Sequence, residues 1–459
     1  MEEALFEKIA LIIVVNLALY FRTMQFKFVS DDFSVWRNPP IPKNKWHKIW
    51  LQLTGQMKIY ADSVRFAFAN RKMYIAITKA AELEHLLALS IHIIICILIY
   101  FAFGVNFISF VAALLYSTNP VNNQGTIWPS GRGYALPIMF LLLSMIIPIL
   151  SPLFLYAGAW YTVGFLSSLA LLGSTKWYLL ASMPIIWFLH SKKFRKAVKS
   201  KQDTETFTED RLVHPKKLIL AIKTFGFYLV LCLIPFRITF YHNFLQSSAG
   251  SMKHKNYTFC RYFWFGVFGL TGIIWYSLQT WNTLSWAMVA FFITIFPFCN
   301  LWRANQEIAE RYAALPNVFL MYALAQVISP YLAIVTAFIA FYATRTFYTL
   351  IMYKDEYYIT ELAIIEDPHA WWSWHCRAMK RWDTQSYKEA LILWVMAKLI
   401  SPKEFKVLMN IASCLRLLKN DKEADEYLRM AEENIVPGQE KESMQFIADH
   451  RRGKLPMLI

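Results

Sequence analysis

Long apolar runs separated by short polar interruptions dominate the first 350 residues. The runs cover 5–21, 83–103, 107–118, 134–150, 154–172, 177–190, 218–236, 261–278, 284–301, 315–328 and 331–351, and predict about eleven membrane-spanning helices. Several are shorter than the roughly 20 residues that cross a hydrocarbon core, and 107–118 is the weakest. Short or broken helices are tolerated where they line a protein-enclosed cavity. Pro129, Pro137, Pro148 and Pro152 fit kinked helices and tight connections. The stretch 44–80 sets Trp46, Ile49, Trp50, Leu53, Met57 and Tyr60 among basic residues. It reads as one or two helices in the plane of a membrane interface, an ordinary loop being the alternative.

The pattern changes after Met352, where apolar positions recur at helical spacing in a polar background. Lys388-Glu389-Ala390 returns as Lys422-Glu423-Ala424, Ala397 returns as Ala431, and Pro368 as Pro402, all at one common interval. That interval matches the period of tetratricopeptide helix–turn–helix units, and small residues stand where paired helices touch. The expected fold class is therefore all-α: a polytopic helical membrane bundle over 1–352 and a tetratricopeptide-like α-solenoid over 353–459. Such a solenoid suggests a surface for peptides or a protein partner.

Composition strengthens the membrane expectation, with 57% hydrophobic residues, 36 Phe, 24 Tyr and 17 Trp. The start is acidic and no small-residue cleavage site follows the first run, so that run reads as a retained span. The formal charge of +16 is concentrated in two polar segments. Residues 191–217 hold nine Lys/Arg against four Asp/Glu, and 22–80 hold eleven against three. Because these charges lie between apolar runs, anionic membrane lipids rather than nucleic acid are the expected partners. The positive-inside rule cannot satisfy both segments. If 22–80 is external, holding a lipid phosphate would explain its charge. The six cysteines, Cys96, Cys232, Cys260, Cys299, Cys376 and Cys414, show no metal spacing or disulfide framework.

The candidate chemistry begins between Phe28 and Phe33, where Asp31 and Asp32 interrupt the apolar pattern. Adjacent carboxylates at a span's end are costly unless they line a cavity or act chemically. They could serve as a general base toward an acceptor hydroxyl. The alternative is a solvated turn in which Asp32 caps a helix. Three further polar loops are expected on the same side: 118–134, 174–176 and 300–312. These supply Arg311, Arg132 and Lys176 as candidates for a phosphate, and Glu310, Tyr312, Asn119 and Tyr134 as candidates for other substrate contacts. His85 and His92 lie two turns apart on one helical face, about 10 Å along the axis, too far for one shared metal ion. His85 is a candidate for hydrogen-bonding substrate, and no metal site is expected.

Taken together these segments resemble the tetratricopeptide-containing membrane protein O-mannosyltransferases and their bacterial relatives, in the GT-C class of lipid-phosphate-dependent glycosyltransferases. The resemblance rests on Asp31, Asp32, Asn38 and Pro39, on His85 and His92, and on Asn119, Pro120, Gly131 and Arg132. The segment Ala309–Pro316 and the C-terminal repeats complete the order. It departs from the family at Ser174-Thr175-Lys176, where an acid is missing, and in its short repeat array. The resemblance implies inverting transfer of a sugar, mannose in the best-known members, from a polyprenyl or dolichyl phosphate carrier to a Ser/Thr hydroxyl of an acceptor protein or peptide. It implies no metal or other cofactor beyond this lipid-linked donor. It also implies a bacterial inner or endoplasmic reticulum membrane, with the active-site loops and repeats on the non-cytoplasmic side. Two rival expectations are transfer to a glycan or lipid, and an inactive membrane scaffold whose repeats bind a partner.

Overall fold

The computed structural model describes residues 2–29, 43–47, 73–159, 168–172, 174, 176–186, 188, 215–240, 242, 259–300, 308–435 and 440–453. Among these residues there is no β-strand. Two compact units emerge: Met1–Phe194 with Pro215–Ile238 and Phe259–Glu356, and Arg195–His214 with Thr239–Thr258 and Tyr357–Ile459.

In the first unit, α1 (Glu2–Tyr20) buries Ile12, Asn16 and Tyr20, which share one stripe a turn apart, and leaves most of its surface outward. The Tyr20 hydroxyl donates to the Ser117 carbonyl at 3.0 Å, and the Asn16 amide to the Ile12 carbonyl at 2.8 Å. Next come α2 (Met73–Ala102) and α3 (Phe107–Thr118). Asn106 starts α3 through a reciprocal cap with Ser109, satisfying two otherwise orphaned N–H donors. Beyond the helical turn Asn123–Thr126 follow α4 (Arg132–Ile146), α5 (Ser151–Gly158) and α6 (Pro215–Leu233). The unit closes with α7 (Arg261–Gln279), α8 (Thr283–Ile295), α9 (Ala314–Ile328) and α10 (Leu332–Thr349).

Helix α2 packs on α3 and α4, and α9 packs on α3 and α8. The faces of Phe103 and Tyr322 stack with centroids 4.1 Å apart. Between α6 and α7 the backbones meet at Gly226 and Gly266. A Cβ on Gly226 would lie 1.9 Å from the Tyr262 carbonyl oxygen, and one on Gly266 would lie 2.1 Å from that of Ile222. Only glycine permits this crossing.

The expectation of eleven spans is corrected here. Among the described residues three helices are long and apolar enough to cross a membrane: Glu3–Gln25, Ala81–Ala102 and Leu332–Tyr353. The first and third are mainly outward-facing, 17% and 28% buried, whereas Ala81–Ala102 is 56% buried and lies within the unit. Phe107–Thr118 has 12 residues and rises about 18 Å, short of a hydrocarbon core of about 30 Å. Its neighbour α9, with 15 residues, is apolar because protein surrounds it, with Leu315, Val318, Phe319, Leu320 and Met321 all buried. The run 177–190 begins as the 3-10 turn Trp177–Ser182, and the helix expected over 154–172 ends at Gly158. The polytopic GT-C-type bundle is thus replaced by a helical assembly of mostly short, protein-packed helices. Most of 44–80 and of 191–217 lies outside the described residues.

The second unit contains α11 (Glu356–Glu366), α12 (Trp371–Asp383), α13 (Tyr387–Ile400), α14 (Phe405–Leu417), α15 (Asp421–Glu433) and α16 (Glu440–Arg451). The starts of α12 and α14 are separated by the interval seen in the sequence, and so are those of α13 and α15. Ala378 and Ala412, Ala390 and Ala424, and Ala397 and Ala431 are equivalent and fully buried. The turns repeat as well. Gln385 and Lys419 both take left-handed backbone, at φ 59° and 62°. Each is followed by a backbone bond reaching back over the last turn of the helix, Ser386 to Arg381 and Asn420 to Leu415, both 2.9 Å. Among the described residues Trp394 is the largest fully buried side chain, and its indole donates to Nδ1 of His375 at 3.2 Å.

Candidate functional site

Polar side chains gather where α2 around Glu84 and His85, the segment 119–134 and the turn Glu310–Tyr312 meet. The segment is held open by its own caps. Asn119 accepts from the Val121 amide at 3.0 Å while its Nδ2 donates to the Cys232 carbonyl at 2.8 Å, and Pro120 opens the following 3-10 turn. Asn122 donates to the Tyr116 carbonyl at 2.7 Å and accepts from Asn317 at 3.2 Å. At Gly131 a Cβ would fall 2.2 Å from the Gln124 carbonyl oxygen, so the segment can fold back on itself only with glycine there.

Two cations define the cluster, in opposite circumstances. Arg132 is fully buried and forms an ion pair with Glu84, also fully buried, while its Nε donates to the Pro129 carbonyl at 3.1 Å. Its charge is matched inside the protein. Arg311, 8% exposed, has no carboxylate paired with it among the described residues. Its Nε donates to the Tyr134 hydroxyl at 3.2 Å and its Nη1 to Oε1 of Gln124 at 3.4 Å, both neutral acceptors. The guanidinium carbon sits 5.2–5.6 Å from the ring centres of Trp128, Tyr134 and Tyr312. Behind that cage Phe298 stacks on Tyr312 at 4.5 Å. Burial works against the charge, but the oxygens of Tyr134, Tyr312 and Tyr228 outweigh it, so the Arg311 pKa lies above the ordinary arginine value. The side chain is a fixed cation of a kind that binds carboxylate and phosphate geometry well.

The remaining candidates fall in several places. Asp31 and Asp32 lie outside the described residues. Nearby, the Val29 carbonyl accepts from the Trp128 indole at 3.3 Å. Tyr134 and Tyr312 pack against the Arg311 guanidinium and against each other, and Glu310 is fully buried. His85 contacts the Ile127 carbonyl at 2.8 Å, and His92 contacts the Thr126 hydroxyl at 3.0 Å. Lys176 donates to the Met145 carbonyl at 2.6 Å, and burial lowers its pKa. Sequence reasoning passed over Glu84, Gln124 and Trp128 as site residues. Glu84 did carry a signal, an acid inside an apolar run directly before His85. Gln124 and Trp128 carried none, since their roles depend on contact with Arg311, which lies far along the chain from both. Among the described residues no group of three His, Cys, Asp or Glu converges. Cys376 and Cys414 are not joined by a disulfide, and burial pushes the Cys414 thiol up to about 12.

No protein-family model matches the chain, and neither a curated protein nor a solved structure matches it. The resemblance to the O-mannosyltransferases is therefore withdrawn, because its architecture of about eleven spans is replaced by three span-length helices among the described residues. The expectations of a GT-C glycosyltransferase, of sugar transfer from a polyprenyl phosphate, and of a fully polytopic protein with a non-cytoplasmic active face fall with it.

Proposed function

We propose that the first unit binds an organic anion, with the charged group on Arg311 and a flat or apolar portion against Trp128, Tyr134 and Tyr312. The observation that carries this is the state of Arg311: a guanidinium 8% exposed and bonded, among the described residues, only to neutral oxygens. With no carboxylate paired to it among the described residues, the guanidinium can take a carboxylate or phosphate as its charge partner in a mostly buried setting. The aromatic walls select against small inorganic ions and favour a ligand with a ring or hydrocarbon body. Fixed geometry helps as well. Gly131 and the caps at Asn119 hold Gln124 in place, and Gln124 in turn orients the guanidinium.

The test is isothermal titration of the full chain in detergent with phenyl phosphate, benzoate and benzyl alcohol. Saturable binding of one of the anions, weakened at least tenfold by Arg311→Gln with the fold intact by circular dichroism, is the expected result. Arg311→Lys should recover only part, because lysine lacks the planar donor fork. Equal affinity in wild type and Arg311→Gln would refute the proposal. So would benzyl alcohol binding as tightly as the anions, which would show that the rings and not the charge hold the ligand.

A further inference from the structure

Helix α13 is apolar on both faces, and repeat packing uses only one of them. Ala390, Trp394 and Ala397 are buried in the unit. On the other side Ile392 is 64%, Met396 36% and Leu399 69% exposed, at i, i+4 and i+7. The second repeat shows what the packing itself requires at those positions. Its equivalent residues are Glu426, Met430 and Glu433, with both acids exposed on α15. The same hairpin geometry is therefore built with acids where the first repeat has Ile392 and Leu399. Those two apolar side chains serve something outside the unit.

Charge indicates what that is. Residues 371–404 carry six Lys/Arg against three Asp/Glu, whereas 405–438 carry five against six. Lys388 stands one turn before Ile392, Lys403 lies shortly beyond Leu399, and both are exposed, as is Lys380. Aliphatic side chains bordered by lysines suit a lipid surface, where the stems lie on the acyl boundary and the ammonium groups reach headgroup phosphates. A protein-binding centre would instead be rich in aromatic residues and arginine and poor in lysine. The chain also tethers α13 to any bilayer that α10 enters, since α10 ends at Thr349 and α13 begins at Tyr387.

We propose that α13 lies against an anionic lipid surface through Ile392, Met396 and Leu399. The full chain is reconstituted in nanodiscs of phosphatidylcholine, with or without one third phosphatidylglycerol, carrying p-benzoylphenylalanine at 392, 399, 426 or 433. After irradiation, mass spectrometry is expected to find lipid adducts at 392 and 399 several-fold above those at 426 and 433, rising with phosphatidylglycerol. Adducts equal at 392 and 426, or none at 392, would overturn the proposal. Crosslinks from 392 to a second copy would also overturn it, by making the stripe a self-association face. Because the second repeat tolerates acids there, Ile392→Glu/Leu399→Glu should fold, and it should lower lipid adducts from p-benzoylphenylalanine at 396. Unchanged adducts at 396 in that variant count against the lipid contact.

Discussion

The ion pair between Glu84 and Arg132 gives a direct measure of how the first unit holds its polar segment. Both side chains have no exposure, and outside the pair the Arg132 bond to the Pro129 carbonyl is at 3.1 Å. Replacing Glu84 with Gln keeps the shape and removes the charge. Arg132 is then left buried without its counter-charge, which costs about 3–5 kcal/mol. For a unit of this size that corresponds to a fall in melting temperature of roughly 10 °C. Arg132→Met removes the guanidinium that Glu84 pairs with and should also destabilise the unit. The double variant Glu84→Gln/Arg132→Met removes both charges of the pair, so its loss should be smaller than the sum of the two by about 2 kcal/mol or more. The assay is thermal unfolding of the full chain in detergent, followed by circular dichroism at fixed scan rate. A change below about 0.5 kcal/mol in Glu84→Gln, or strictly additive losses in the double variant, would refute the reasoning.

Other parts of the molecule make separate predictions. Gly226→Ala or Gly266→Ala should force α6 and α7 apart, because either Cβ would fall about 2 Å from a backbone oxygen; a loss of about 1–3 kcal/mol in thermal unfolding is expected. Gln385→Gly and Lys419→Gly should each stabilise the second unit by about 1 kcal/mol, since both positions are left-handed and glycine removes the Cβ penalty; urea midpoints check this. His450 is buried, and its pKa is lowered by that burial and by the nearby Arg416, with Asp425 acting in the opposite sense. The unfolded chain therefore binds more protons than the folded one. Its contribution to stability is complete above the unfolded value near about 6.5 and is lost as pH falls through the lowered folded value. Protection factors of peptides from 405–453, referenced to the intrinsic exchange rate at each pH, should fall on acidification in wild type, with a shallower pH slope in His450→Asn.

Particular residues show how far the sequence could be read. The repeat spacing is visible in the chain because each repeat uses a small residue at its contacts, and the same interval separates helix starts and left-handed turn residues. The left-handed residues themselves, Gln385 and Lys419, gave no signal, since neither is Gly or Asn. Apolar runs were misleading as a count of spans. A run such as 315–328 records only that the segment avoids water, and it is apolar whether protein or lipid covers it. Arg132 and Arg311 looked equivalent as phosphate-binding candidates. Glu84, well before Arg132 in the chain, makes them different, and no local pattern reveals that pairing.

By itself the sequence determined that the chain is helical, that its second part repeats, and that polar residues interrupt an apolar first part. These are local matters of periodicity and spacing, written in neighbouring residues. Only the tertiary structure decided which apolar helices are covered by protein, which arginine is neutralised, and which keeps neutral partners alone among the described residues. Those depend on contacts between residues far apart in the chain, where burial makes one carboxylate more or less the difference between a sealed ion pair and a cation held by neutral oxygens.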